Sequence, residues 1–250
     1  MQGLANPNLK LRRAKEHLDA LQREVNIFVE SKAYEISRRD DLDTGEHIIT
    51  IKFEVPPIWP IGAVLGDFLC CLRSSLDHLI FGLASIAKME HRGTEFPICG
   101  EYTDTTESRI AGATRGLPEG AVSIVKLFQP YNAGSAYKMN LLWILNRLWD
   151  VDKHRHLALH SGMLRIDIPI LPKELWPVEE ILDDCGVMRF PAAAKPYLNL
   201  EPTPVVNVLF GDDDTKTIIT LSGLVRTYEL VSEKIIPRFA SYFPQSEKIL

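Results

Sequence analysis

Apolar residues recur along the chain at two periods, and the changes of period mark its elements. Over 8–33, Leu11, Ala14, Leu18, Leu21, Val25 and Phe28 return at steps of three and four. That spacing predicts a charged amphipathic helix, with Asn8 placed to cap its start. The step then falls to two. Ile49, Ile51, Phe53 and Val55 alternate with Thr50, Lys52 and Glu54. Together with 34–39 across a polar turn at 40–45, they predict a β-hairpin with one buried face. Pro56, Pro57 and Pro60 break the chain, and 61–89 reads as a long helix.

The stretch 91–120 is rich in Gly, Thr and charge, with Glu95, Phe96, Pro97 and Ile98 as an apolar anchor and a short helix near 105–112. A connection of that length is more often functional than idle. Pro118 opens a helix running to 128, because an early-turn proline forfeits no helical hydrogen bond. Another helix follows over about 136–154. Period-two pattern returns in 157–170, 186–191, 204–210 and 217–221, and the last helix covers 222–242 with Leu224, Tyr228, Val231 and Ile235 on its core face. No repeat of fixed period is visible. The expectation is one α+β domain over 1–250. Its core is a bundle of four or five helices drawn from 8–33, 61–89, 118–155 and 222–242. A mostly antiparallel sheet from 34–55 and 157–221 packs on it.

Composition narrows the setting. Of 250 residues, 46% are hydrophobic and 24% charged, as in soluble globular proteins. The formal net charge of −5 argues against wrapping duplex nucleic acid, yet leaves room for a small basic pocket. Cys70, Cys71, Cys99 and Cys185 form no CxxC pair, which fits reduced thiols in a cytoplasmic protein. No run of about 18 uninterrupted apolar residues suggests a membrane span, and the start of the chain lacks a signal-peptide layout.

Two helices carry more polarity than a core needs. On the wheel of 61–89, Leu65, Leu69, Leu72, Leu76, Leu79 and Leu83 form one stripe, and the opposite side is small or apolar too. Arg73, Asp77 and His78 interrupt it. Arg73 and Asp77 are four apart and can pair. His78 lies about 140° from Arg73 around the axis and must be met by another element. On the second helix, Asn140, Trp143, Arg147, Asp150 and His154 fall within about 80° of one another. Two readings follow. In one, Arg73, Asp77 and His78 meet Arg147, Asp150 and His154 across a groove. Histidine would then move a proton, arginine hold a phosphate or carboxylate, and aspartate fix a tautomer. In the other, the same residues tie the bundle together and do no chemistry. His156 and His160 read as strand-edge or surface residues.

The segments LRSSLDHL (72–79), TEFPI (94–98), QPY (129–131) and DVDKHR (150–155) together resemble a widespread group of uncharacterised bacterial proteins over about 60–160. Arg73 to His78, with four residues between, and Arg147 to His154, with six, also resemble the Arg-x(4–6)-His motif of HEPN-domain proteins. Many of these are metal-independent ribonucleases with the motif on a helix and a site often completed across a dimer. The resemblance implies that His78 or His154 assists attack of an RNA 2′-hydroxyl while Arg73 or Arg147 stabilises the phosphate. It implies RNA or a small phosphorylated ligand as partner, a homodimer as assembly, and no cofactor. Ser74 fits the polar position after the motif arginine only loosely, and Leu148 does not fit it.

A metal-dependent hydrolase is a further alternative, with Asp150, His154 and His78 as ligands and His156 or His160 added. There is no HExxH, no GxxxxGK[ST], no GxGxxG after a strand and no GxSxG. Trp59, Trp149 and Trp176 read as core or rim anchors, whereas Trp143 shares the polar stripe and could wall a ligand pocket. Lys10, Arg12, Arg13 and Lys15 read as a solvated helix face.

Overall fold

The leucine stripe of 61–89 sets the architecture. In the computed structural model, which describes residues 4–31, 34–53, 58–88, 95–154, 158–165, 172–176, 178–182, 185–198, 205–212 and 217–243, helix α2 (Ile58–Ile86) buries all six leucines. Phe68 and Ser75, on its other side, are also fully buried. Cover nearly all round, which its wheel predicts, is not found: Ala63, Asp67, Cys70 and Phe81 form an exposed stripe along one face. Each such leucine contributes about 2 kcal/mol of apolar burial.

Helix α1 (Ala5–Glu30) lies along α2 and buries Leu11, Ala14, Leu18, Leu21 and Val25. The side chain of Phe28 lies outside the described residues. Helices α3 (Thr106–Ala113) and α4 (Glu119–Leu127) occupy the connection before α5 (Leu141–His154), which packs on α2 and buries Leu142, Leu145 and Leu148 in the core. A four-residue α6 (Lys195–Leu198) and the C-terminal α7 (Leu221–Glu229) complete the helices. Seven α-helices thus stand among the described residues where four or five were expected. Of the surplus, α3 stands where the short helix near 105–112 is expected, and α6, four residues long, carries too few apolar positions to show a period.

Two more helical expectations need correction. The span 136–154 is not one helix: Pro130–Met139 is 3-10, broken at Gly134 (φ +56°), and α5 starts only at Leu141. Asn140 belongs to this junction rather than to the polar stripe, since its side-chain oxygen accepts from the Leu142 backbone N–H at 2.9 Å. The span 222–242 is one apolar face but three geometries. After α7 comes a π-helical stretch over Leu230–Ile235 and a 3-10 stretch over Ile236–Tyr242. Pro237 has no N–H to donate, so the preceding turn widens rather than continuing the α ladder.

The strands form two antiparallel sheets. One has the order β1 (Tyr34–Asp40), β2 (His47–Phe53), β5 (Cys185–Phe190), β4 (Val178–Leu182). The other has the order β3 (Ala158–Arg165), β6 (Val205–Asp212), β7 (Thr217–Thr220). The architecture is α+β, as expected. Strand β4 was not anticipated, because Val178, Glu179, Glu180, Ile181 and Leu182 do not alternate.

The hairpin turn is set by Asp41, whose carboxylate accepts from the backbone of Asp43 and Thr44, and by Gly45 at φ +71°. Its base is held by Asp40, which pairs with His47 across the strands and with Lys195 of α6. These partners, Lys195 first, hold the Asp40 carboxyl below the usual carboxylate range. The hairpin is not one-faced: Ile48 and Ile49 point to opposite sides of β2 and are each 1% exposed. Ile49, Met188 and Phe190 join the core cluster formed by α1, α2, α4, α5 and α7, while Ile48 is buried on the other side.

Candidate functional site

The site is built around a segment with no regular structure. Residues 95–99 form neither helix nor strand, yet Phe96, Pro97, Ile98 and Cys99 are all buried. Their backbone polar groups need partners that a sheet or helix would otherwise supply. Side chains from two directions provide them. From α2, the Asp77 carboxylate accepts from the Phe96 N–H at 3.0 Å, and Arg73 Nη2 donates to the Phe96 carbonyl at 3.0 Å. From the end of α4, the buried Gln129 accepts from the Cys99 N–H at 3.0 Å and donates to the Pro97 carbonyl at 2.7 Å. The Tyr131 N–H adds a bond to the Cys99 carbonyl at 3.3 Å. Residues 73 and 77 of α2, 96–99 and 129–131 thus meet at one network.

Arg73 is the centre of this network and is only 2% exposed. Its Nη1 donates to Asp77, its Nε to Asn146 Oδ1 at 3.2 Å, and its guanidinium lies 5.2 Å from the Trp149 ring centroid. Lys153 approaches the same ring at 3.3 Å. A buried guanidinium with a carboxylate, a carbonyl, an amide oxygen and an indole around it is fully compensated. Ser75 donates to the Leu72 carbonyl of its own helix.

Beyond Asn146 the fold opens into a cleft of about 540 Å³. Ile98 and Gly100 form its floor, Trp143, Asn146, Arg147 and Asp150 of α5 one wall, and Arg109 of α3 and Lys138 of the 3-10 stretch complete the lining. Among the described lining residues three are cations and one is an acid. Arg147 Nη1 lies 3.5 Å from Asp150 Oδ2, and Arg109 Nη2 lies 3.7 Å from Glu95 Oε1, both pairs partly exposed. The ring of Tyr137 meets the Trp143 indole edge to face at 5.8 Å, and Lys138 lies 5.8 Å over Tyr137. Burial, the charge of Glu101 and a hydrogen bond to it raise the Tyr137 phenol above its ordinary range. Gly100 permits this packing: a Cβ there would stand 2.8 Å from the Tyr137 ring and 3.0 Å from Trp143 Nε1.

The structure divides the residues expected to share one groove. Arg147 and Asp150 line the cleft, with Trp143 beside them as its place on the stripe predicts. Arg73 and Asp77 do not reach it as reactive groups, since they are engaged with each other and with Phe96. His78 is not among the cleft-lining residues. It comes under the charge of Lys10 on α1, and burial, then Lys10, lower its pKa against the weaker pull of Asp77. The expectation that Arg73, Asp77 and His78 converge with Arg147 and Asp150 is therefore corrected. The helix pair shares an Arg73–Asn146 contact instead.

His154 ends α5, but its side chain, all of His156 and the side chain of His160 lie outside the described residues. Among the described residues no group of three His, Cys, Asp or Glu could hold a metal ion.

Asn146 escaped the sequence reading although the signal was there. It follows Trp143 by three and precedes Asp150 by four, so it shares their stripe. Arg109, Lys138 and Gln129 come from separate elements, and no local spacing could have joined them. Compared with known protein families, curated proteins and solved structures, the chain has no significant match.

Proposed function

We propose that the α5 cleft binds a phosphate-bearing ligand, either RNA or a small phosphorylated molecule. The observation that carries this reading is the convergence of Arg109, Lys138 and Arg147 around an indole, with Asp150 the one acid among the described lining residues. Guanidinium groups match phosphate by paired hydrogen bonds, and lysine adds a compact charge. Asp150 keeps the Arg147 fork oriented, and Glu95 stands beside Arg109 in the same way. The test is calorimetric titration of ribose 5-phosphate and of a short single-stranded RNA. Wild type is expected to bind with an affinity that falls as salt rises. Arg147→Ala should weaken binding about tenfold or more, the scale of one charge-assisted contact. Equal binding by the variant removes the proposal.

RNA cleavage is the second reading, favoured by Arg147 and Asp150 lining the cleft on the helix that His154 ends. His154 follows Arg147 by seven positions, about 10 Å along the axis. In this reading His154 takes the proton of a 2′-hydroxyl, that oxygen attacks phosphorus to close a 2′,3′-cyclic phosphate, and the P–O5′ bond breaks with the 5′-oxygen taking a proton from water. Arg147 holds the charge that builds on the phosphate. RNA cleavage in the presence of a chelator, lost in His154→Ala with binding retained, is the expected result. Wild type that binds RNA but leaves it intact confines the site to binding.

A further inference from the structure

We infer that Asn146, oriented by Arg73, is the specificity-determining residue of the cleft, and that it selects a phosphate ester carrying a flat ring with a hydrogen-bond acceptor on its edge, as a nucleotide does. The inference rests on the phosphate reading above and names the ligand class of that site.

Its basis is the donor chemistry of Arg73. A guanidinium donates and never accepts. The 3.2 Å contact from Arg73 Nε therefore fixes which end of the Asn146 amide faces α2: it must be the oxygen. A flipped amide would set an N–H against an N–H. Arg73 itself cannot turn away, because Asp77, the Phe96 carbonyl and Trp149 hold it at 2% exposure. The other end of the amide is the Nδ2 group, and no other hydrogen bond of this side chain is found among the described residues. Asn146 is partly exposed and lines the cleft, so it presents a fixed donor there.

Trp143 stands one helical turn before Asn146 and Arg147, on the same wall. A flat ring lies against an indole, and an amide donor beside that indole reads the edge of the ring. The cations serve the phosphate, and Asn146 and Trp143 serve the ring. Arg73 acts through Asn146 and is a positioning residue.

The experiment compares uridine 5′-monophosphate with ribose 5-phosphate, which differ by the base alone. Dissociation constants are measured by calorimetry for wild type, Asn146→Ala and Asn146→Asp, with melting temperature recorded for each. Wild type is expected to prefer the nucleotide by about tenfold or more. Asn146→Ala should lose that preference while keeping its affinity for ribose 5-phosphate within about twofold, a result a purely structural role would not give. Asn146→Asp keeps an acceptor for Arg73, so it should melt no lower than wild type. It offers an oxygen where the donor was, and it should lose the preference too. Equal wild-type affinity for both probes, or a preference that survives both substitutions, overturns the inference and leaves the phosphate reading standing. Wild type that binds neither probe overturns both.

Discussion

At the scale of single residues, the Arg73–Asp77 pair shows what helical spacing can and cannot say. The step of four announces the ion pair, and the pair is there. The step says nothing of Phe96, whose N–H and carbonyl are both tied to it. The same two side chains that suggest catalysis on a helical wheel serve as a substitute for secondary structure around a buried segment. Asp77→Ala should therefore cost about 3 kcal/mol in urea denaturation, since it leaves a buried guanidinium and a buried N–H without their acceptor. Asp77→Asn, which retains an acceptor oxygen, should cost clearly less. A loss below about 1 kcal/mol for the alanine variant would show that the network does not depend on the carboxylate. Gly100 gives a second residue-level expectation. Gly100→Ala must push back Tyr137 or Trp143, so it should lower ligand affinity more than melting temperature, read by calorimetry and by a thermal scan.

At the scale of elements, helix type and core face were legible in the amphipathic stretches, and the junctions were not. The stripes of α1 and α2 state their period over many turns, so the buried residues follow from them directly. The close approach of α5 to α2 at Gly66 has no such signature. There a Cβ would lie 2.5 Å from Asp152 Oδ1, so the absence of a side chain at residue 66 lets the carboxylate sit against α2. Glycine inside a helix costs up to about 1 kcal/mol relative to alanine. Gly66→Ala should accordingly be neutral or destabilising in wild type and stabilising once Asp152→Ala has cleared the space, a sign change that a double-mutant cycle reads. Burial, with the charge of Asp67 added, raises the Asp152 carboxyl above its ordinary 3.8. A carboxyl raised in the folded state contributes stability that is complete below its unfolded pKa and lost as pH rises through the folded value. Asp152→Asn abolishes that loss. Its melting temperature relative to wild type should climb as pH rises above about 4, and a difference that stays constant with pH would show that the group does not feel its burial.

At the scale of the whole molecule, the fold class was legible because two periods alternate cleanly along the chain, and the cleft was not. Its lining gathers Arg109, Lys138 and Arg147 from three elements, and their meeting depends on the route of 95–140 over α2 and α5. Helix α2 carries the fully buried leucine stripe of the core, so the amides of 65–80 should exchange with deuterium last, only through global opening. Those of the hairpin turn at 41–46 and of the 3-10 stretch at 130–139 should exchange earlier, as mass spectrometry of peptides can resolve. Exchange in α2 as fast as in the turn would mean that the leucine stripe does not hold the molecule together. The way Phe96, Pro97 and Cys99 are fastened bears on how an incoming ligand is received. Ile98 and Gly100 follow directly in chain from residues tethered on one side by α2 and on the other by Gln129. The bed of the cleft is accordingly set before anything arrives. Its ordering entropy is spent during folding, so association need not repay it, and tightness of binding should respond to the chemistry of the rim far more than to any loosening beneath.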